Sequence, residues 1–397
     1  MEKLNFTIDG YSFSTAFNTA IDREHCIEEI LSTTGKHYDW FREITGNKNW
    51  ILYDTEQYEV RDFDSFKLVV LDNRFDGVKE FLHVKEGFTG KLHLPINSSA
   101  CSFLFTSTDV TKLDLTEFDT SEVVDMSYMF TSADLGNSFS PAFNTSKVID
   151  MNNMFKFCYV KHLDLHNLDV RRVSDFSSMF LHCSSLIDIN LANWDTSNAE
   201  DFYSMFDSCR ALTQLNVSHF KTGKVTDMTN IFASCSRLKE LNLNGWDFSG
   251  VLNADYMFAW CDILRGIVAN FNFKVVNDVS SMFDGCLELD TIDLTNADLS
   301  NVKDLSYMFF NCESLTNVSF NQTALAKAEN INYMFYNCSS LNKLVMPNID
   351  FNTVKYVKET FKCCNTLKEI YIKKLVGLSR IKKCEMLKDC KAKVWQL

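Results

Sequence analysis

The sequence has few of the residues and segments that build linkers or membrane anchors. Its 397 residues include only 3 prolines and 13 glycines, which argues against long flexible linkers. It has no run of about 18 apolar residues that would cross a membrane. Residues 1–14 lack the basic start and apolar run of a secretion signal. We therefore predict a cytoplasmic protein without a membrane span.

Positive charge is also scarce. The chain has 39 lysines and arginines against 52 aspartates and glutamates, a net charge of −13. This balance argues against direct nucleic-acid binding, which requires a basic surface. The 14 cysteines, in a chain without a secretion signal, are expected to be reduced thiols.

A repeat dominates the rest of the sequence. A phenylalanine recurs at a nearly constant step of about 25 residues, which is a period typical of stacked structural units. These phenylalanines are Phe130, Phe155, Phe180, Phe206, Phe232, Phe258, Phe283, Phe309, Phe335 and Phe361. Such a stack grows along one axis and forms a solenoid.

Each unit has two halves. The first reads Leu-x-x-Leu-x-Leu, as at Leu238, Leu241 and Leu243, and its alternation predicts a strand that is buried on one face of a parallel sheet. The second reads Val-x-Asp-Met-x-x-Met-Phe-x-x-Cys, whose apolar spacing predicts a short helix. An aromatic residue between the halves, such as Trp246, is expected to stack on its neighbours along the solenoid axis.

Two ladders of identical residues follow from the repeat. An aspartate stands five residues before the phenylalanine in seven units, at Asp125, Asp150, Asp175, Asp201, Asp227, Asp278 and Asp304. We interpret it as a helix N-cap rather than a calcium ligand. A cysteine stands three residues after the phenylalanine in nine units, at Cys158, Cys183, Cys209, Cys235, Cys261, Cys286, Cys312, Cys338 and Cys364. We interpret these thiols as core residues, because zinc sites favour closely paired cysteines and in-register side chains fit disulfide geometry poorly.

Two units deviate from the pattern. Ser138 and Ser140 occupy positions that are apolar in other strands, which predicts an irregular strand there. Residues 92–94 together with Phe105 are expected to form a shortened first unit, since Phe105 lies one step of the repeat before Phe130.

These residues and motifs resemble the BspA-type leucine-rich repeats of bacterial surface proteins, over most of the chain. The resemblance implies an α/β solenoid: a leucine-rich-repeat horseshoe with a parallel β-sheet on one side and short helices on the other. It also implies an adhesin or interaction protein rather than an enzyme. The solenoid is assigned to residues 88–372, with ten to eleven units.

Residues 1–87 show no repeat. Helices are predicted at 22–31 and 37–44, and strands at 49–53 and 66–71. We interpret this region as an N-terminal α/β cap or a separate binding domain. It contains no nucleophile motif, phosphate-binding loop or metal-ligand spacing, so we predict no enzymatic activity and no cofactor.

Residues 373–397 are basic and form the predicted C-terminal cap. A helix is expected over 379–387, with Ile381, Cys384 and Leu387 on its inner side. An alternative is a basic docking patch for an acidic partner or a membrane surface.

The candidate binding residues are polar side chains on the outer face of the strands, which is the concave face of a horseshoe. They are His162, Asp164, His166, Asp188, Asn190, Asn216, Asn242 and Asp293. Alternation at period 2 places the first three on one face, where Asp188 and Asn190 would be their neighbours. Three interpretations stay open here: a partner-binding surface, a metal or catalytic site, and a face kept polar for solubility.

We therefore predict a non-enzymatic scaffold that binds a macromolecular partner, in the first place a protein, on its concave face. Two alternatives are an intracellular inhibitor or decoy that masks a basic surface of an enzyme or nucleic-acid-binding complex, and a surface adhesin. The inhibitor hypothesis predicts salt-sensitive binding. The sequence leaves the partner open, and the chain is a monomer or an oligomer of unknown size.

Overall fold

The computed structural model describes residues 101–397, apart from 103, 117, 323–324, 347 and 373–376, and five strands before them. Those strands are β1 (Lys3–Ile8), β2 (Tyr11–Ala16), β3 (Phe66–Val70), β4 (Glu80–Val84) and β5 (Gly90–Lys91). β1 pairs with β2 and β3 with β4, both antiparallel. β3 confirms the strand predicted at 66–71, whereas the β1–β2 pair is absent from the sequence-based prediction. The elements predicted at 22–31, 37–44 and 49–53 lie outside the described residues.

From β5 onward the chain forms a parallel β-solenoid. Its further strands are β6 (Leu113–Asp114), β7 (Ser138–Phe139), β8 (His162–Asp164), β9 (Asp188–Asn190), β10 (Glu240–Asn242), β11 (Gly266–Val268), β12 (Thr291–Leu294), β13 (Asn317–Phe320), β14 (Lys343–Met346), β15 (Glu369–Ile372) and β16 (Lys393–Gln396). They pair in parallel groups, namely β5–β6, β7–β8–β9, β10–β11, β12–β13 and β14–β15–β16. Partners stand one repeat apart, as Leu241 and Ile267 do. The predicted parallel sheet is confirmed.

The irregular unit is also confirmed, with a change of register. β7 has two residues and pairs Phe139 with Leu163. The spacing between these two residues is shorter than the spacing between the repeated phenylalanines. Phe139, rather than Ser138 or Ser140, therefore turns toward the core, where its ring lies 5.3 Å from that of Phe130.

The short helices predicted for the second half of each unit are wrong. In the described part of residues 101–397, the helical segments are a 3-10 turn at Val110–Lys112 and one helix, α1 (Arg380–Met386). The Met-x-x-Met-Phe-x-x-Cys half forms consecutive tight turns instead. In one unit the N–H of Ala133 donates to the carbonyl of Phe130 at 2.9 Å, which closes a β-turn.

The other N–H groups of these turns bond to the next unit. Tyr128 donates to the carbonyl of Asn152 at 2.9 Å, and Phe130 donates to that of Met154 at 2.8 Å. A helix would send each of these N–H groups back four residues within its own unit. The turn side is therefore a second ladder of hydrogen bonds between units, parallel to the strand ladder.

Two residues of every unit adopt a left-handed backbone, two positions before and two positions after the repeated phenylalanine. Their φ angles lie between +49° and +72°. Such angles suit position i+2 of a type II turn. The residues two positions after are Ser132, Phe157, His182, Ser208, Ser234, Trp260, Gly285, Asn311, Asn337 and Cys363. Only one of them is glycine, so the hydrogen bonds between units offset strain of about 1 kcal/mol or more per residue.

The aspartate ladder caps turns, which corrects its interpretation as a helix N-cap. In each of the seven units the carboxylate accepts the N–H of the residue two positions later, at 2.7–2.9 Å. This is the local bond of an Asx-turn. Backbone bridges join the aspartates of adjacent units, as between Asp125 and Asp150. Burial raises the pKa of Asp150 and that of Asp201.

The core consists of stacked identical side chains. The repeated phenylalanines are fully buried, and neighbours stack with nearly parallel rings, as Phe283 and Phe309 do at a centroid distance of 5.3 Å and an interplanar angle of 6°. Trp194, Phe220 and Trp246 form a second stack with ring centroids 6.2 and 6.3 Å apart. The aromatic stacking predicted from the repeat is confirmed, and these pairs add stabilisation beyond their burial.

The nine cysteines of the ladder are free and buried, as predicted. Each thiol donates to the carbonyl of the phenylalanine one unit earlier, at 2.7–3.2 Å. Burial raises the pKa of Cys183 and that of Cys261 to about 12. The thiols of Cys183 and Cys261 therefore stay protonated at neutral pH, and all nine act as core hydrogen-bond donors.

The C-terminal segment continues the solenoid in a modified form. Ser379 caps α1, and Lys382 donates from Nζ to the carbonyls of Phe351 and Val354 at 2.6 and 2.7 Å. The predicted inner side of this helix is wrong in part: Ile381 is 72% exposed and Cys384 is exposed, whereas Met386 is fully buried. After α1 the chain adds strand β16, parallel to β15.

Candidate functional site

On the outer face of the sheet, side chains at equivalent positions of successive strands form rows. Along β12 the residues alternate between exposed and buried, with Thr291 and Asp293 outward and Ile292 and Leu294 inward. This alternation follows from the pleat of a strand. We call the outward side chains of β8 to β16, with those of the bridge at Asn216, the exposed sheet face.

The structure places seven of the eight predicted binding residues on this face and brings the first of them into contact. His166, predicted to lie on the same strand as His162, is in the turn that follows β8 instead. His162 Nδ1 lies 2.7 Å from Asp188 Oδ2 across the β8–β9 pair, and His166 Nδ1 lies 2.7 Å from Asp164 Oδ1. Asp164 stands opposite Asn190 in the strand register. The hydrogen bond from His166 lowers the pKa of Asp164. The result is a compact polar cluster over two rungs, with each histidine held by a carboxylate.

The remaining predicted residues lie farther along the face. Asn216 bridges to Asn242 on the next rung, so both continue the polar row. Val268, 61% exposed, follows on β11 and separates this row from Asp293 on β12. The seven residues on this face therefore form one polar row that an apolar rung interrupts, not one pocket.

The polar cluster has no metal-site geometry. Within the part of the chain that the structure describes, no group of three or more His, Cys, Asp or Glu side chains is placed to hold a metal ion. The carboxylates of Asp164 and Asp188 each bond a histidine, and both pairs are about half exposed to solvent. The arrangement offers hydrogen-bond donors and acceptors to a partner surface.

An apolar row lies at the other end of the face, and its last member, Trp395, was missed in the sequence. Val345, Tyr371 and Trp395 stand in register on β14, β15 and β16. Val345 is 38% and Trp395 45% exposed. Lys343 places its Nζ 4.5 Å from the centroid of the Tyr371 ring, a cation–π contact. Exposed aromatic residues of this kind dominate the energy of many protein interfaces.

The sequence contained a signal for this row. Met386 and Cys390 lie one repeat after Phe361 and Cys364, and Phe361 donates its N–H to the carbonyl of Met386 at 3.1 Å. The period therefore continues past residue 373. Because α1 replaces the turns of this last unit, the pattern indicated a helical cap and hid strand β16.

A second aromatic row lies on the turn side. Tyr307 stacks on Tyr333 at 4.9 Å and Phe310 on Tyr336 at 4.8 Å. The ammonium groups of Lys358 and Lys362 lie over the last rings of these stacks. Ring stacking and cation–π contacts therefore cover part of this row.

An open groove of about 520 Å³ lies beside β6 and β7. Leu113, Leu115, Leu135, Phe139 and Phe143 give it largely apolar walls. It follows from the short, shifted strand β7. The side chain of Asp114, on the same wall, accepts hydrogen bonds from Thr116.

Fold and repeat together define the class of the protein. It is a parallel β-solenoid of about ten turns with leucine-rich strand segments and little helix. No described helix has the length and apolar character needed to cross a membrane.

The family follows from sequence comparison. The family described as "Mycoplasma protein of unknown function, DUF285" matches four overlapping stretches, residues 99–215, 158–266, 183–291 and 261–374. These stretches cover more than half of the chain, which belongs to this family.

Two solved structures are similar to the chain. A leucine-rich repeat protein from Eubacterium ventriosum has 17% identity and a TM-score of 0.32, over 77% of this chain and 82% of that one. The pneumococcal vaccine antigen PcpA has 15% identity and a TM-score of 0.33, over 78% of this chain and 80% of that one. No curated protein sequence matches. The function therefore has to be argued from the geometry of the chain.

Proposed function

We propose that the protein is a non-enzymatic scaffold that binds a partner protein on its exposed sheet face. The observation that carries the proposal is the composition of this face, with hydrogen-bonding residues at His162 and Asp188 and an apolar row at Val345, Tyr371 and Trp395. Interfaces combine such apolar anchors with a polar surround. The ladders on both sides of the solenoid hold these residues rigidly, which limits the entropy lost on binding.

The wider assignment has three parts. Residues 88–372 form the binding solenoid, residues 1–87 an N-terminal cap or second binding domain, and residues 373–397 the C-terminal cap. The BspA-type likeness of the repeats supports an interaction protein. We assign it to the cytoplasm, without a cofactor and without direct nucleic-acid binding.

The proposal is tested by capture of the partner from a lysate of the native cell. The bait is the full chain, compared with Asp188→Lys on the exposed sheet face and with Glu200→Lys, an exposed residue on the turn side. We expect Asp188→Lys to lose the partner and Glu200→Lys to keep it, because only the former reverses a charge in the interface. Equal capture by both variants would refute the role of this face.

A second candidate function is favoured by charge. The net charge is −13, and Asp164, Asp188, Glu240 and Asp293 lie on the sheet face. An inhibitor or decoy that masks a basic surface would use this charge. Its binding should fail at about 1 M salt, where the Debye length is about 3 Å. Capture that survives high salt favours the apolar row, and coating of host cells by the purified protein favours the surface adhesin.

A further inference from the structure

Within the part of the chain that the structure describes, strand β16 pairs along one edge, with β15, over the four residues Lys393–Gln396. Lys393 and Leu397 donate their N–H groups to carbonyls on the β15 side, at 2.8 and 3.0 Å. Alternate residues of a strand bond to opposite sides. The N–H groups of Val394 and Gln396 therefore point to the outer edge.

An open edge of this kind is a template for another strand. Each preceding member of the β14–β15–β16 group presents its outer edge to the next strand, and a further strand would lie about 4.8 Å beyond β16. The side chains of β16 also continue the rows of the preceding strands. Val394 extends the inner row of Leu344 and Ile370, and Trp395 extends the outer row of Val345 and Tyr371.

The charge around this edge is opposite to that of the whole chain. Residues 380–397 carry six basic and two acidic side chains, whereas the protein has a net charge of −13. Lys391 and Lys393, next to and within β16, are exposed. Pairing of two copies through this edge would bring two basic segments together, which is unfavourable. An acidic strand is complementary to it.

We propose that the outer edge of β16 is a docking site for an extended acidic segment of a partner protein, which adds to the sheet as a further parallel strand. Main-chain hydrogen bonds to Val394 and Gln396 would supply affinity, as in other cases of strand addition. The register specifies the side chains. The position beside Lys393 takes an acidic residue, that beside Val394 an aliphatic residue, and that beside Trp395 an aromatic residue.

This site is separate from the polar cluster of the exposed sheet face, and its test is separate too. The probe is a fluorescein-labelled decapeptide with a central Glu-Val-Phe-Val and glutamates at both ends, measured by fluorescence anisotropy with the full chain. A probe with lysine in place of every glutamate is the charge control. We expect the acidic probe to bind and the lysine probe not to bind.

The chain offers a matched pair of variants at one residue. Gln396→Pro removes an N–H that points outward, and its bond geometry is tolerated at a sheet edge. Gln396→Ala keeps that N–H. We expect Gln396→Pro to lower the affinity for the acidic probe about tenfold, because one hydrogen bond is lost and the adjacent one is distorted. Gln396→Ala and Asp188→Lys should leave binding unchanged.

Several outcomes would overturn the proposal. They are absence of binding by the acidic probe, equal binding of the lysine probe, and equal affinity of the Gln396→Pro and Gln396→Ala variants when circular dichroism shows both folded. Sedimentation supplies the remaining one: a wild-type dimer that Gln396→Pro converts to a monomer would assign the edge to a second copy. Loss of sheet-face binding in Asp188→Lys with intact probe binding would separate the two sites.

Discussion

Replacement of Asp284 by asparagine should stabilise the protein at neutral and alkaline pH. Asp284 follows Phe283 directly and is half-buried, and burial raises the pKa of its carboxyl to about 7 from the usual value of 3.8. Burial raises the pKa values of the nearby Cys312 thiol and Tyr307 phenol, and the Asp284 carboxylate adds to both rises. No hydrogen bond to the Asp284 carboxylate occurs among the described residues. Ionisation therefore leaves a poorly solvated charge.

The sign and size follow from the shift. The folded state holds this proton more tightly than the unfolded state, so stability is lost as the pH rises from about 4 to about 7. A shift of about three units corresponds to about 4 kcal/mol for a fully buried group, at about 1.36 kcal/mol per unit. Solvent screening of this half-buried carboxylate reduces the effect, and we expect Asp284→Asn to gain about 1–2 kcal/mol.

The assay is urea unfolding at a series of pH values, with the midpoint as readout. The difference between Asp284→Asn and the wild type should be small near pH 4, grow up to about pH 7 and then stay constant. Asp207 stands at the same repeat position and is the matched control. Burial raises its pKa too, but Ser208 donates to its carboxylate at 2.9 Å, and His182 and Arg210 attract it. A gain in Asp207→Asn as large as in Asp284→Asn, or a gain independent of pH, would refute the reasoning.

Three further predictions concern single positions. Gly285→Ala should lower the free energy of unfolding by about 1–2 kcal/mol, because the φ of Gly285 is +72° and a Cβ there would lie 2.9 Å from the Trp260 ring. Adding Trp260→Ala to this variant should recover part of the loss, measured by thermal unfolding. Glu359→Gln should lower the melting temperature at neutral pH, because hydrogen bonds from Lys388 and Lys362 lower the Glu359 pKa to about 2. The stabilisation by Glu359 is therefore present above about pH 4.5 and is lost as the pH falls toward 2. An equal loss of melting temperature at pH 7 and pH 2.5 would contradict this. In the native protein iodoacetamide should modify the exposed Cys384 and spare the nine buried thiols of the ladder; mass spectrometry that finds Cys235 modified as fast as Cys384 would contradict their burial.

The repeat made the sheet and the core predictable, because both depend on which residues are buried at a constant step. It could not separate a helix from a series of turns. A helix buries residues at i, i+3, i+4 and i+7, and turns that close every few residues bury the same positions, as at Met126, Met129, Phe130 and Ala133. The informative positions were the ones between them. Gly285 and Asn311 stand where φ is positive, and these residue types favour that conformation.

The candidate site was likewise predictable in part. Alternation along a strand was sufficient to place His162 and Asp164 on one face, whereas His166, predicted on the same face, lies in the turn after β8. The contact between His162 and Asp188 depends on the register of two strands, which the period supplied. Trp395 was missed because the last unit replaces its turns by α1, and the signal for this unit was the repeat spacing of Met386 and Cys390.

The lengths of the strands have a consequence for the order in which the units unfold. They increase along the chain, from two residues in β6 and β7, through three in β8 to β11, to four in β12 to β16. In a solenoid each unit is stabilised only by its neighbours, so a longer strand means a stronger coupling to the next unit. Under a pulling force the chain should unzip from the β6 end and resist at β12–β16. Refolding should begin at the same C-terminal units and proceed backward along the chain.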